Sequence, residues 1–339
     1  MITAKTIPWI ELSAEEIKYY RSYTSENSTY KSPFYQYSFI NTIAQVKSYV
    51  FVLILSKGNI PFAFLPFQYH SAADKLVGLA ERIGSNMSDF FGPIIKPDSK
   101  ISSDEIMEFA SFNLLNFDHL PSLDLQFNAM QESKALASQI IVNGSAEGYF
   151  EWLKAYNKKF YSDTLRRRRK AIEALGPLRF TFDNKNPVEL TRLISKKRDQ
   201  YSRTRVKDSL SEVWKIDLLE ALSKVQDESF EAVVSTLYCG ETWLASHLGL
   251  KANGILQYWL PVYATEYRNY APGRLLLFAN IESLENNELS IIDRGEGLSD
   301  AKKDTANYLY HMGKGSLEKS TLQTLFSKVL QKYRWKKSS

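Results

Sequence analysis

From residue 255 to residue 297 the chain reads ILQYWLPVYATEYRNYAPGRLLLFANIESLENNELSIIDRGEG. The pattern predicts one strand at Ile255–Tyr263 and another at Leu289–Asp293. Between them it predicts a helix that opens with Pro272 and Gly273. The first turn of a helix has backbone N–H groups without intrahelical partners and carries the positive end of the helix dipole. The order strand, helix, strand therefore predicts an anion site at the helix start.

One histidine precedes this stretch by a single hairpin. His247 lies in the apolar run Ala245–Leu250, and Asn253-Gly254 predicts a tight turn into the next strand. An ordinary imidazole has a pKa of about 6.5, so it can accept a proton at neutral pH. Two interpretations of His247 are open: a general base for an attacking amine or hydroxyl, and a core histidine bonded to the backbone.

The amino-acid composition limits the classes of protein to which this chain can belong. The chain has 339 residues, of which 44% are hydrophobic and 13% aromatic, enough for the cores of two domains. Its formal net charge of +5 suits an anionic small ligand at least as well as a polymer, and no nucleic-acid partner is expected. A single cysteine excludes an intramolecular disulfide, and the four histidines show no metal-ligand spacing, so no metal is expected.

The sequence shows no targeting or membrane-spanning signal. Residues 1–20 lack the basic and apolar regions of a secretory signal. The longest apolar runs, such as Tyr49–Leu55, have the length of strands and fall short of the roughly 20 residues that cross a bilayer. We therefore expect a cytoplasmic protein with no membrane span, while a peripheral contact with a membrane complex stays open.

Two hairpins with similar patterns lie far apart in the chain. The first joins Val50–Leu55 to Pro61–Gln68, and the second joins Glu231–Tyr238 to Thr242–Leu250, each through a glycine turn. Further β-rich sequence follows each hairpin. We interpret the chain as two copies of one α/β plan, the alternative being a chance similarity between two hairpins.

The segment between the two copies has helical periodicity. Phe150, Leu153 and Tyr156 recur at helix spacing, and Gly176-Pro177 is a helix stop. The predicted organisation is an N-terminal domain at residues 1–145, a connecting helical segment at 146–176, and a C-terminal domain at 177–339 that carries the ligand site.

A six-residue pattern marks the start of the predicted helix. Residues 268–273 read RNYAPG and approximate the pattern R/Q-x-x-G-x-G/A of GCN5-related N-acetyltransferases (GNATs), with Ala271 at the first glycine position. Small residues in that pattern let the backbone approach a pyrophosphate, which the helix start then holds. The alternative is an ordinary Pro-Gly turn. The residues expected to bind the diphosphate are Arg268, Ala271, Pro272, Gly273 and Arg274.

Two further segments are candidates for phosphate contact. Residues 293–297 read DRGEG, and their two glycines allow a ligand to lie close to the backbone. Lys302, which follows, either meets a phosphate or is a surface lysine. Residues 166–170 read RRRRK and would point all round a helix. Either they are solvated and pair with acids, or Arg166 and Arg169 reach phosphates of the substrate.

Three residues are candidates for contact with the substrate. Residues 88–93 read SDFFGP, a loop that either packs on a core or turns Asp89 toward a hydroxyl or ammonium group. Tyr258 lies on a strand rich in aromatic residues, so it either faces the core or offers a floor to a sugar ring. Asp293, at the end of a predicted strand, is the third candidate.

Eight segments together resemble one known family. They are SPFY at 32–35, FLPFQ at 64–68, SDFFGP at 88–93, LRRRRK at 165–170 with LGP at 175–177, SHLGL at 246–250, YWLPVY at 258–263, APG at 271–273, and DRGEG at 293–297 with Lys302. In this order and approximate spacing they are similar to the CelD-like acetyltransferases of the GNAT superfamily, which occur in bacterial exopolysaccharide and cellulose gene clusters. The resemblance spans residues 30–305.

The resemblance implies an α/β (α+β) fold of tandem GNAT-like domains, each a mixed, mostly antiparallel sheet flanked by helices. It implies acetyl-CoA or another acyl-CoA as donor, and as acceptor a sugar, amino sugar or nucleotide-sugar precursor of bacterial polysaccharide. The reaction expected is direct attack in a ternary complex, with His247 as general base. A homodimer, or association with polysaccharide biosynthesis enzymes, stays open.

Two alternatives to this reaction remain. Fem-type aminoacyl transferases share the tandem fold but use aminoacyl-tRNA, and such an enzyme would act on a cell-wall precursor. The other alternative is a non-catalytic scaffold of a polysaccharide synthase complex. It is favoured by Ala271 at a glycine position and by Ala301, where the family commonly has a tyrosine before the lysine matched to Lys302.

Overall fold

The computed structural model describes residues 1–121, 127–128, 131–320, 324–329 and 331. Within that part of the chain the β-strands are β1 Ile2–Pro8, β2 Val50–Lys57, β3 Ile60–Gln68, β4 Leu79–Arg82, β5 Ile94–Ile95, β6 Ile101–Ser102, β7 Leu114–Pro121, β8 Phe127–Asn128, β9 Gln131–Ile141, β10 Leu178–Thr181, β11 Glu231–Cys239, β12 Thr242–Ala252, β13 Ile255–Tyr263, β14 Ile291–Glu296 and β15 Tyr308–Glu318.

The α-helices follow recognisable start signals. Ser13 and Glu16 form a capping box on the first helix, and Asn186 caps a helix whose first residue is Pro187. The described helices are α1 Ala14–Glu26, α2 Tyr37–Val46, α3 Ala72–Val77, α4 Ser103–Phe109, α5 Ala146–Tyr156, α6 Lys158–Leu175, α7 Pro187–Thr204, α8 Val213–Leu222, α9 Pro272–Ser283 and α10 Asp300–Lys303.

The chain divides into two compact units. Unit 1 comprises residues 1–136 and 310–339, and unit 2 comprises residues 137–309. These bounds differ from the predicted boundaries after residues 145 and 176, and the C-terminal strand β15 pairs with β7 in unit 1. The assignment of an N-terminal domain, a connecting segment and a C-terminal domain stays a prediction.

Unit 1 is built on a mostly antiparallel sheet. Its strands follow the order β1-β2-β3-β4-β7-β15, and β5 pairs with β3. Within this sheet β4 and β7 run parallel, and β6 and β8 form a separate parallel pair. The hairpin predicted between Val50–Leu55 and Pro61–Gln68 is confirmed as β2–β3. Aromatic residues such as Phe67 and Phe112 fill the core on this sheet.

Unit 2 has a second mostly antiparallel sheet. Its strands follow the order β9-β14-β13-β12-β11-β10, and the predicted second hairpin is confirmed as β11–β12. Strands β13 and β14 are parallel, and their pairing covers Ile255–Gln257 against Ile291–Asp293. Beyond Gln257 and Asp293 the two strands are no longer paired, so a gap opens between them.

Helix α9 connects the two parallel strands of unit 2. It is apolar around much of its circumference, and Leu275, Leu276, Leu277 and Phe278 are all buried. Such a helix must be covered on several sides. It packs on β11, β12 and β13 and is also covered by α5 and α6. The start of α9 is thereby fixed beside the gap between β13 and β14.

Candidate functional site

The start of α9 presents open backbone. Ala271, the N-cap residue, has φ 54° and ψ 53°, a left-handed conformation that glycine adopts more easily. Pro272 has no N–H, and the Arg274 N–H bonds to the Ala271 carbonyl. The Gly273 N–H has no partner among the described residues. A Cβ built on Gly273 would meet only the Tyr263 ring, at 3.7 Å, so there is room for a side chain at this position.

An arginine cluster lies beside this helix start. Asp163 on α6 accepts from Arg166 at 2.5 Å, from Arg167 at 2.7 Å and from Arg274 at 3.2 Å. Hydrogen bonds from Arg167 and then Arg166 are the main causes that lower the pKa of Asp163 to about 2. Arg167 also donates to the carbonyl of Asn269, which precedes α9. Three guanidinium groups share one carboxylate, so the cluster keeps an excess of positive charge.

The other predicted basic residues are placed differently. Arg268 is exposed on the 3₁₀ turn Thr265–Tyr270, and its carbonyl accepts from the Ala271 N–H. Arg169 is exposed on α6 and has no ion pair with the described residues. Lys302 on α10 donates to the carbonyls of Gly295 and Glu296, at 3.1 and 2.8 Å. Its ammonium group therefore fixes the loop after β14.

Asp293 is a buried residue at the last pair of β13 and β14. One carboxylate oxygen accepts from Gln139 on β9 at 2.7 Å, and the other accepts from the Gly295 N–H at 2.7 Å. Both oxygens are therefore engaged within the protein. Asp293 fixes the end of β14, and its predicted contact with the substrate stays a prediction.

His247 is fully buried in the middle of β12. Its ring stacks on Tyr258 with centroids 4.2 Å apart, and its Nδ1 lies 3.4 Å from the Ser235 hydroxyl. Burial lowers the pKa of His247 to about 3. The ring covers Gly249 so closely that a Cβ there would lie 2.4 Å from His247 Cε1. This burial fits the core interpretation, and the role of general base stays a prediction.

Several buried polar atoms near the gap lack partners within the described residues. They are Nε2 of His247, the hydroxyl of Tyr258, the hydroxyl of Ser138, Nε of Arg294 and both side-chain polar atoms of Gln257. Buried polar groups are normally hydrogen-bonded, and leaving one unsatisfied costs about 1–3 kcal/mol. This concentration of unsatisfied groups is typical of a site that binds a polar ligand.

Asp89 belongs to unit 1, whereas the other predicted site residues belong to unit 2. It follows the 3₁₀ turn Ser85–Met87 and is half-buried. Ser88 and Phe90 on either side are buried. This placement agrees with a loop that packs on a core, and substrate contact by Asp89 stays a prediction.

The sequence analysis missed three residues that matter to this site. Asp163 was detectable, because it lies three and four residues before Arg166 and Arg167 on one helix. No local pattern in the sequence indicates Arg294 or Ser138. Their placement depends on the pairing of β14 with β9, two strands that are distant in sequence.

A sequence model of the GNAT acetyltransferase domain matches residues 159–303. This segment is similar to GNAT domains. It contains α6 with its arginines, His247, the start of α9 and the gap between β13 and β14, and it covers less than half of the chain. A search of curated proteins found no significant match.

Solved structures share the fold over nearly the whole chain. FemX has 9% identity and a TM-score of 0.57, covering 92% of this chain and 96% of its own. The C-terminal domain of a putative lysylphosphatidylglycerol synthetase from Agrobacterium fabrum has 10% identity and a TM-score of 0.52, covering 94% and 95%. A tandem GNAT protein from the clavulanic acid biosynthesis pathway has 8% identity and a TM-score of 0.50, covering 95% and 100%. These likenesses concern the fold alone, and they confirm the predicted α/β fold of tandem GNAT-like domains.

The described residues offer neither a candidate membrane-spanning helix nor a cluster of metal-ligating side chains. Across the described ranges, none of the helices combines the length and the apolar character that a membrane span requires. Among the same residues, no three His, Cys, Asp or Glu side chains come together as a metal site.

Proposed function

We propose that this protein is an acyltransferase that moves an acetyl or other short acyl group from acyl-CoA to a sugar, amino sugar or nucleotide-sugar precursor. The observation that carries the proposal is the start of α9 in the GNAT domain. There the Gly273 N–H has no partner among the described residues, a Cβ on Gly273 would have room, and the Asp163 arginine cluster lies alongside. One free N–H group, the helix dipole and excess positive charge together favour a diphosphate.

In this proposal the diphosphate of CoA binds at Ala271, Pro272 and Gly273. Arg274 and Arg166 stay on Asp163 and act through their charge, while the exposed Arg268 and Arg169 are available for direct contact. The pantetheine arm follows the gap between β13 and β14, which begins beyond Gln257 and Asp293. A backbone N–H in that gap polarises the thioester carbonyl.

The acceptor amine or hydroxyl attacks the thioester carbon directly. The new C–N or C–O bond forms as the C–S bond breaks, and the acceptor proton ends on the CoA thiolate. We assign the transfer of that proton to His247, whose ring stacks on Tyr258 of β13. The imidazole is neutral at pH 7, as a proton acceptor must be. Because its low pKa makes it a weak base, the proton moves as the CoA thiolate departs.

The resemblance to CelD-like acetyltransferases supports a polysaccharide precursor as acceptor. In unit 2, Tyr258 and Asp293 are the side chains that we propose for contact with it, and Lys302 holds the last two residues of β14. Substrate contact by Asp89 in unit 1 stays a separate prediction. We place the reaction in the cytoplasm, where acyl-CoA is made, and expect no metal and no nucleic-acid substrate. A homodimer or a complex with polysaccharide biosynthesis enzymes would fit the same role.

The test is transfer of radiolabelled acetyl from acetyl-CoA to a panel of sugars, amino sugars and nucleotide-sugars, with release of free CoA thiol measured in parallel. We expect labelled product from at least one acceptor. We also expect His247→Ala to lower kcat by roughly 10²–10⁴-fold, the usual effect of losing a general base. Near-wild-type kcat in His247→Ala would remove the histidine from the mechanism.

Two control arms separate the alternatives. Transfer from aminoacyl-tRNA to a cell-wall precursor, without transfer from acetyl-CoA, would replace the proposal with a Fem-type reaction. Absence of CoA binding, together with tight binding to a polysaccharide synthase subunit, would replace it with a scaffold. A variant such as Glu285→Gln, on the 3₁₀ turn after α9, serves as the unaffected control because it lies at the far end of that helix.

A further inference from the structure

Arg294 is a half-buried cation with neutral hydrogen-bond partners. It lies one residue beyond the last pair of β13 and β14. Its Nη1 donates to the Ala301 carbonyl at 2.9 Å and to the Thr305 hydroxyl at 2.7 Å. No carboxylate of the described residues forms an ion pair with it, and burial lowers its pKa below the ordinary value. A partly buried charge without a counter-ion lowers the stability of the fold.

Unsatisfied polar groups lie on the same face of the sheet as Arg294. Gln257 and Asp293 are partners in the parallel pair, so Tyr258 and Arg294, the next residues, both point to the opposite face. Ser138 shares that face, because its neighbour Gln139 is the partner of Asp293 on β9. The hydroxyls of Tyr258 and Ser138 and Nε of Arg294 are buried and have no partner in the described chain.

Tyr258 lies within electrostatic reach of Arg294. Burial raises the pKa of Tyr258 well above its ordinary value, and the positive charge of Arg294 opposes part of that rise. Tyr149 on α5 also lies within electrostatic reach of Arg294, although its hydroxyl donates to the Thr305 carbonyl at 2.6 Å. His247 stacks on the Tyr258 ring, with the ring centroids 4.2 Å apart. These side chains place hydrogen-bond donors around one positive charge.

The chemistry of this lining selects the ligand. A carboxylate accepts two hydrogen bonds at once, from a guanidinium N–H and from a neighbouring hydroxyl, and it neutralises the charge. A neutral acetyl group would leave Arg294 without a counter-ion. We propose that Arg294 and Tyr258 form a binding site for a carboxylate carried by the molecule that enters the gap between β13 and β14. This inference rests on the proposed function, since it concerns the reacting end of the same site.

Two substrates could carry that carboxylate. One is a donor whose acyl group ends in a second carboxyl, as in succinyl-CoA. The other is an acceptor that is a sugar acid, as in glucuronate. Both present the same group to Arg294, and a binding experiment distinguishes them.

The experiment measures binding of CoA, acetyl-CoA and succinyl-CoA by calorimetry, and then binding of glucuronate and glucose in the presence of CoA. The variants are Arg294→Met, which removes the charge, and Tyr258→Phe, which removes only the hydroxyl. In the unmodified protein, the side-chain Nε–H signal of Arg294 is followed by NMR during each titration. This readout does not depend on how well either variant folds.

We expect the carboxylate ligand to bind about tenfold to hundredfold more tightly than its neutral counterpart, as a charge-assisted contact gives. Arg294→Met should abolish that preference and leave CoA affinity unchanged, and the Arg294 signal should shift with that ligand alone. A preference for succinyl-CoA identifies the donor as the source, and a preference for glucuronate identifies the acceptor.

Other outcomes overturn the inference. If CoA binds but no carboxylate ligand is preferred and the Arg294 signal does not move, Arg294 is structural while the proposed function stands. If CoA does not bind at all, the proposed function fails. Titration with free succinate and glucuronate then shows, through the Arg294 signal, whether Arg294 binds a carboxylate. If the Arg294 signal does not shift in that titration, the proposed carboxylate site is rejected.

Discussion

Replacing His247 by Gln should remove an acid-dependent loss of stability. The imidazole titrates near 6.5 when unfolded and near 3 in the folded protein, because full burial disfavours its charged form. Between these values the unfolded chain binds a proton that the folded chain does not. The free energy of unfolding therefore falls as the pH drops from 6.5 toward 3.

The size of this effect follows from the shift. Each pKa unit is equivalent to about 1.4 kcal/mol, so at pH 5 the histidine alone lowers the free energy of unfolding by about 2 kcal/mol. At pH 7.5 its effect is close to zero. Gln occupies a similar volume and cannot be protonated, so the variant should lack this part of the pH dependence.

The assay is urea unfolding at pH 7.5 and pH 5 for the unmodified protein, His247→Gln and a control, His70→Gln. His70 is exposed, so its replacement should leave the pH dependence as it is. The loss of stability between the two pH values should be about 2 kcal/mol smaller in His247→Gln than in the other two proteins. Equal losses in all three would show that His247 is not protonated on unfolding in this range and would refute the reasoning.

Three further predictions concern the same domain. Ala271→Gly should raise the free energy of unfolding by up to about 1 kcal/mol in urea titration, because glycine relieves the left-handed φ of 54° at the α9 N-cap; a lower value would contradict that strain. Gly249→Ala should cost about 1–3 kcal/mol, since its Cβ would lie 2.4 Å from His247 Cε1; an unchanged melting temperature would mean that the ring does not cover Gly249. Asp163→Asn should cost about 1 kcal/mol in low salt and less in 1 M NaCl; a loss independent of salt would argue against the arginine cluster.

Local patterns were sufficient to predict the elements around the site. The hairpins β2–β3 and β11–β12 follow from apolar strands around glycine turns. Pro272 marks the observed start of α9. The helix ends at Ser283, and a 3₁₀ turn follows at Glu285–Asn287.

Long-range pairing accounts for what the sequence did not reveal. Strand β14 was expected to end at Asp293 but extends to Glu296, because Glu296 pairs with Ala137 on β9. The same pairing brings Arg294 and Ser138 to one face of the sheet, and nothing in the local sequence indicates this. Likewise, the local sequence did not show that His247 is fully buried opposite Ser235, where the β11–β12 register places it.

Calorimetric titration with CoA tests most directly whether the α9 start holds a diphosphate. The comparison is between the unmodified protein, Gly273→Glu and Gly148→Glu. An acidic side chain in the first turn favours a helix, and both glycines have room for a Cβ, so both variants should fold. Gly148 is the matched control, because it lies in the first turn of α5 and receives the same charge. We predict that the unmodified protein binds one CoA per chain. Gly273→Glu should lower the affinity for CoA by at least about tenfold, because its carboxylate repels the diphosphate. Gly148→Glu should change that affinity little. Equal affinity in both variants, or no binding by the unmodified protein, would contradict the account.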